Sequence, residues 1–137
     1  MAINFRPGNQ TMEKILGPLE KDLMQILWRA QGPMTGRDIF EMLREKRRVA
    51  YTTVLTVLER LVPKGLVSKD KVEGRYLYTA TQTQDAFTAA VSRSVLAGLM
   101  ELSATQTVAA MVDILDKSNP DDLQGLMDLI QQRRESK

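Results

Sequence analysis

The sequence predicts a mainly α-helical chain with one small β-hairpin. Three observations carry that prediction. Apolar residues recur at helical spacing through most of the 137 residues, the pattern shortens to alternation once, between Leu66 and Ala80, and proline and glycine punctuate the joins. A hydrophobic content of 43% suits one domain, or a small domain with an appended oligomerisation segment. Units of roughly 60 to 80 residues keep much surface for little volume, so a two-part chain gains from burial against a second copy.

Residues 1–12 contain Pro7, Gly8 and polar residues without period and are expected to form a flexible arm. From Pro18, which suits a first helical position, Leu19, Leu23, Ile26, Leu27 and Ala30 share one face, and Gly32-Pro33 ends this first helix. Thr35 then stands as an N-cap, Asp38 lies in the first turn, and Ile39, Met42 and Leu43 form an apolar edge, so a second helix runs to about Lys46. The third helix conflicts with local propensity, because Thr52, Thr53, Val54, Thr56 and Val57 are β-branched. Periodicity decides for a helix. Val54, Val57, Leu58 and Leu61 fall on one face and Thr52, Thr53, Thr56, Glu59 and Arg60 on the other, whereas a period of two would mix the sets. Pro63 and Gly65 close it.

After Gly65 the runs LVSKDK, VEGR and YLYTA predict a hairpin that turns at Gly74, with Lys69 and Lys71 on one face of its first strand. Trp28, Tyr76 and Tyr78 are expected to pack rather than to stack on a ligand. The remaining segment is helical. Thr81-Gln82-Thr83-Gln84 and Ser103-Ala104-Thr105-Gln106 are start signals of the S/T-x-x-Q type, and Asn119-Pro120-Asp121-Asp122 combines an N-cap, a first-position proline and two carboxylates. The apolar stripes are Phe87, Val91 and Val95; Val108, Met111, Val112 and Leu115; and Leu123, Leu126, Met127 and Ile130. Three short amphipathic helices bury such stripes poorly among themselves, so they are expected to form a dimerisation unit, the alternative being that they fold back on the first domain. The expected organisation is a flexible arm at 1–12, a domain of three helices and a hairpin at 13–82 and a helical dimerisation domain at 83–137.

Cysteine and histidine are both absent, which excludes disulfides, thiolate nucleophiles, Cys/His zinc sites and histidine general bases. Asp113, Asp116, Asp121 and Asp122 are read as caps and solvated charges, and no metal or cofactor is expected. No run of about 18 apolar residues exists and the N-terminus lacks an apolar signal region, so no membrane insertion and a cytoplasmic location are expected. The net charge of +2 joins unlike halves. Residues 1–82 hold 14 Lys and Arg against 9 Asp and Glu, a balance of +5, and residues 83–137 hold 5 against 8, a balance of −3. A cationic first half suits a polyanion.

Three helices followed by a basic hairpin make a winged helix-turn-helix. In such a domain the second helix of the motif enters the major groove and its N-terminal residues meet base edges, which brings Ala50, Tyr51, Thr52, Thr53 and Thr56 within reach. Threonine donates or accepts at a base and offers a methyl to thymine, while Ala50 offers only the methyl. Arg60, two turns on, suits a phosphate, as do Arg37 at the start of the second helix and Lys69, Lys71 and Arg75 on the wing. Leu55 at the edge of the stripe can pack in the core or meet a thymine. Arg44, Lys46, Arg47 and Arg48 add attraction for the backbone or offset Glu41 and Glu45. A protein-interaction module that never touches DNA is the alternative, and it would bind without dependence on salt or on the wing cations.

The segments LGPLEKDLMQILW, AYTTVLTVLERLVPKGLV and GRYLYTA resemble the BlaI/MecI family of penicillinase repressors, closely over about residues 16 to 80 and more loosely along the tail. The resemblance implies a homodimeric winged-helix repressor, without enzymatic activity, on a palindromic double-stranded DNA operator, often with TACA/TGTA-type half-sites. It implies base reading by Thr52, Thr53 and Thr56 and backbone contact by Arg60. The copper-responsive branch carries Cys-x-Cys pairs, which this chain lacks. In the β-lactam branch a membrane sensor-protease leads to cleavage of the repressor, and no matching cleavage site stands out in this sequence.

Overall fold

The structure is a computed structural model, described for residues 16–136. The arm expected at 1–12, the start of the domain expected at 13–82 and Lys137 lie outside the described residues. The elements run α1 (Pro18–Arg29), β1 (Met34–Thr35), α2 (Gly36–Leu43), α3 (Tyr51–Leu61), β2 (Val67–Val72), β3 (Arg75–Ala80), α4 (Gln84–Leu102), α5 (Ala104–Ser118) and α6 (Pro120–Glu135). The chain divides into two compact units between Ser94 and Val95.

In the first unit the apolar faces of α1, α2 and α3 close over one core. Leu23 and Met24 of α1, Ile39 and Leu43 of α2, and Val54, Leu58 and Leu61 of α3 are all but fully buried. Each such side chain contributes on the order of 1.5 to 3 kcal/mol by leaving water. That sum overrides the strand propensity of the β-branched run in α3. The helix ends at Leu61, and Gly65, at φ 80°, carries the chain through the left-handed region toward the wing. Leu66, Val67 and Tyr78 extend the core under the hairpin.

The hairpin is in register from Val67↔Ala80 to Val72↔Arg75, which leaves Glu73-Gly74 as a two-residue turn. Both residues have positive φ, 51° and 80°, as a hairpin turn matched to the twist of its strands requires. The sheet has a third strand that the sequence pattern does not announce. Met34 and Thr35 pair antiparallel with Tyr78 and Leu77, giving the order β1-β3-β2. Two residues are too few to show alternation.

Polar contacts fasten the helices. The Thr35 hydroxyl accepts from the Asp38 amide at 3.1 Å while the Asp38 carboxylate accepts from the Thr35 amide at 3.2 Å, a reciprocal cap on α2. The second helix ends at Leu43, three residues before the expected Lys46, and Lys46 and Arg47 turn back to Asp22 on α1, at 3.1 Å and 2.8 Å. Asp22 is 8% exposed. Burial alone would raise its pKa, but hydrogen bonds and charge from Arg47 and Lys46 outweigh burial and hold it below the ordinary carboxylate value. Glu20 is held low in the same way, with burial outweighed by Lys64 at 2.8 Å and by the Gly17 amide. These pairs tie the segments after α2 and α3 to the first helix.

The start of α4 belongs to the first unit. Its N-cap is Thr83, whose hydroxyl accepts from the Ala86 amide at 3.1 Å, rather than Thr81, whose hydroxyl donates to the Gly65 carbonyl at 2.7 Å. Phe87 is buried with its ring centroid 5.3 Å from that of Trp28, and Val91 packs on the same core. The sequence places a boundary at 82/83 and reads Phe87 and Val91 as dimerisation residues. Phe87 is buried within the first unit and Val91 is partly buried against the same core, and that unit reaches Ser94. In the second unit, Ser103 caps α5 through the Gln106 amide and Asn119 caps α6 through the Asp121 amide. Helices α5 and α6 pack on one another, yet no residue from Val95 to Ser136 is buried.

Candidate nucleic-acid interface

Recognition by a helix needs a polar face held still by an apolar one, and α3 has both. Val54, Val57, Leu58 and Leu61 anchor it, and Thr52, Thr53, Thr56, Glu59 and Arg60 stand exposed. Leu55 resolves toward packing. Its Cδ2 lies 2.7 Å from where a Cβ on Gly36 would stand, so glycine at the start of α2 lets the two helices approach. Tyr51 is half-buried in the same corner, edge-on to Phe40 with ring centroids 5.5 Å apart. The Arg37 guanidinium lies 4.5 Å from the Tyr51 ring centroid and 3.8 Å from Glu41, which aims a cation across the start of the reading helix.

The first turn of α3 breaks a local rule. Its N-cap is Ala50, and no side chain accepts from its amides. An alanine cap costs on the order of 1 kcal/mol against serine or aspartate, and it leaves the free donors at the end of the helix that a nucleic acid would approach. The Thr56 hydroxyl donates to the Thr52 carbonyl at 2.9 Å, so its proton is already used. Thr56 therefore presents lone pairs and a methyl, which suit an adenine or cytosine amino group or a thymine methyl.

An open groove of about 780 Å³ runs between α3 and the wing. Of the residues the sequence proposes for DNA, Arg37, Tyr51, Thr56, Lys69 and Arg75 line it, joined by Leu55, Glu59, Tyr76 and Tyr78. Ala50, Thr52, Thr53, Arg60 and Lys71 are not part of its lining. Arg60 stands in the last turn of α3, where its charge helps hold the Glu20 carboxyl low. On the wing the Lys69 and Lys71 ammonium groups lie 4.1 Å and 5.7 Å from the Tyr76 ring centroid, as alternation along β2 requires. Tyr76 is 47% exposed, whereas Tyr78 is buried, and burial and the Glu59 carboxylate push the Tyr78 hydroxyl pKa up.

Two features escape sequence reasoning. Lys69 forms an ion pair with Glu59, and its pKa is raised by that hydrogen bond. Arg44, Lys46 and Arg47 are engaged by Glu41 and Asp22, so their first role is structural, while Lys71, Arg75 and Arg48 meet no carboxylate within 4 Å among the described residues. Arg44 pairs with Glu41 within one helical turn, as the sequence allows, whereas the pairings of Lys46 and Arg47 with Asp22 and of Lys69 with Glu59 join distant segments, and no local pattern carries them. No group of three potential metal ligands occurs among the described residues, and no helix there is long and apolar enough to cross a membrane.

A helix-turn-helix with an N-terminally open reading helix and a three-stranded wing is the winged-helix class of transcriptional regulator. Comparison with known proteins makes the assignment specific. The penicillinase repressor family matches residues 16–132, and the chain belongs to that family, the BlaI/MecI repressors. It is similar to the transcriptional regulator BlaI of Mycobacterium tuberculosis, with 33% identity over 111 residues covering 81% of this chain and 79% of that one. It is also similar to an uncharacterised 16.5 kDa protein of Latilactobacillus sakei, with 32% identity over 77% of this chain and 71% of that one. Among solved structures, Bordetella bronchiseptica BpsR matches 93% of this chain and 85% of its own at 20% identity and a TM-score of 0.42, too distant to bear on individual residues. The chain is a transcriptional repressor, of a family that acts by regulation rather than catalysis.

Proposed function

We propose that the chain represses transcription as a homodimer on a palindromic double-stranded operator. Thr52, Thr53 and Thr56 read base edges, with Ala50 and Tyr51 beside them, and Arg37, Arg60, Lys71 and Arg75 hold phosphates. One observation carries this reading: Thr56, on the exposed face of a helix anchored by its buried side, lines one groove with Arg37 of α2 and Arg75 of the wing. In a two-fold dimer the two reading helices sit about 34 to 36 Å apart, one helical turn of DNA. The dimer forms through residues 95–136. Support comes from Leu102, Ile114, Met127 and Leu129, which are 66%, 63%, 57% and 56% exposed, apolar side chains that a second copy would cover. The proposed interface also takes in Val95, Val108, Met111, Val112, Leu115, Leu123, Leu126 and Ile130 of the expected stripes. Release by a membrane sensor-protease or its effector is part of the reading and rests on family membership.

The test is duplex binding across a salt titration with the threonine and wing variants. Thr52→Ala or Thr56→Ala is expected to reduce discrimination between operator and altered operators by about 1 to 3 kcal/mol, while Lys71→Ala weakens all sequences alike. Equal losses on operator and random DNA from the threonine variants would remove the base-reading role. Binding indifferent to salt would favour a protein-interaction module instead.

A further inference from the structure

The two lysines on one face of β2 have different surroundings. Lys71 meets no carboxylate among the described residues, whereas Lys69 is paired with Glu59 of α3 and lies closer to the Tyr76 ring. Glu59 follows Thr56 by three residues and Thr52 by seven, so it shares their face of the helix, and with Thr56 and Lys69 it lines the groove. A carboxylate on a surface that meets a polyanion repels it unless neutralised, and Lys69 is the neutralising group. Stability does not account for the pair, because both side chains keep contact with solvent, at 25% and 45% exposure, where ion pairs contribute little.

We propose that Glu59 withholds Lys69 from DNA phosphates and thereby restrains the affinity of this repressor for DNA of random sequence. The proposal rests on the DNA-binding function above and assigns Glu59 a part in specificity that does not involve reading a base. Non-specific binding arises almost wholly from cations on phosphates, each steepening the dependence of log K on log salt by about 0.9. With Lys69 engaged, the wing supplies Lys71 and Arg75 alone. Random sites outnumber operators by many orders of magnitude, so one withheld cation improves the competition for the true site.

The experiment measures binding of the full chain to a random-sequence duplex across a salt titration. Glu59→Gln is expected to steepen the salt slope by about 0.9 and to tighten binding roughly eightfold near 0.1 M salt. Adding Lys69→Gln to that variant cancels the gain. The exchanged pair Glu59→Lys with Lys69→Glu keeps the net charge and the bridge, and is expected to bind with the wild-type slope and within about twofold of its affinity. Loss of folding cannot imitate a gain in binding. A wild-type slope for Glu59→Gln, or a slope shallower by about one for the exchanged pair, overturns the proposal, the latter by showing Lys69 already on a phosphate. A wild-type chain that binds no duplex overturns the DNA-binding function itself, whereas wild-type binding unchanged by Glu59→Gln overturns this inference alone.

Discussion

Residues 16–94 and residues 95–136 both contain amphipathic helices, yet they end in opposite states. Among the described residues, all 13 buried hydrophobic residues precede Ser94, and nine of the 12 large hydrophobic residues left exposed follow it. The difference lies in topology rather than composition. In the first unit three helices meet a three-stranded sheet, so each apolar face finds another from a distant part of the chain. The second has helical segments joined by one-residue links at Ser103 and Asn119, and this arrangement leaves every residue at least partly solvated. The first unit closes a core that anchors α3, whereas the second leaves its apolar faces at least partly in solvent.

Mutations in the two units should therefore behave differently. The largest effect is expected from Leu58→Ala, which opens a cavity in a fully packed core and costs about 2 to 5 kcal/mol in a denaturant titration, independent of protein concentration. Next, Leu126→Gln and Ile130→Gln are each expected to forfeit about 1.5 to 3 kcal/mol of burial at the proposed subunit interface. They are expected to raise the dimer dissociation constant by at least tenfold in sedimentation equilibrium, with operator affinity falling in parallel. Concentration-independent losses from these two, or a wild-type chain monomeric at micromolar concentration, would erase the contrast.

The smallest effect concerns Asp22. Its folded pKa lies below the ordinary aspartate value, so its contribution is complete above that ordinary value and is lost as pH falls through the lowered folded one. Asp22→Asn is expected to cost about 1 kcal/mol at neutral pH, because both cationic partners are partly solvated. The same variant flattens the acid limb of stability, and an acid limb identical to wild type would show that another carboxylate dominates it.

Much of the fold was legible locally. The faces of α1 and α3, the Thr35 and Asn119 caps and the Gly74 turn follow from periodicity and from which residues tolerate a given backbone. Legibility failed where a contact joins distant segments. Strand β1 is defined only by Tyr78 and Leu77, and Thr81 yields the cap to Thr83 because its own hydroxyl reaches Gly65. Phe87 looks like a dimer residue until Trp28 covers it. The threonines of the candidate site were visible as a polar stripe, but the state of each cation was not.

By itself the sequence determined the helices, the hairpin, the polar reading face and the cationic first half, because hydrophobic period, turn chemistry and charge are local properties. Only the tertiary structure decided which cations are available. Lys46 and Arg47 are taken up by Asp22 and Lys69 by Glu59, while Lys71 and Arg75 meet no carboxylate among the described residues, because an ion pair depends on distances between segments that pack together only when the core closes.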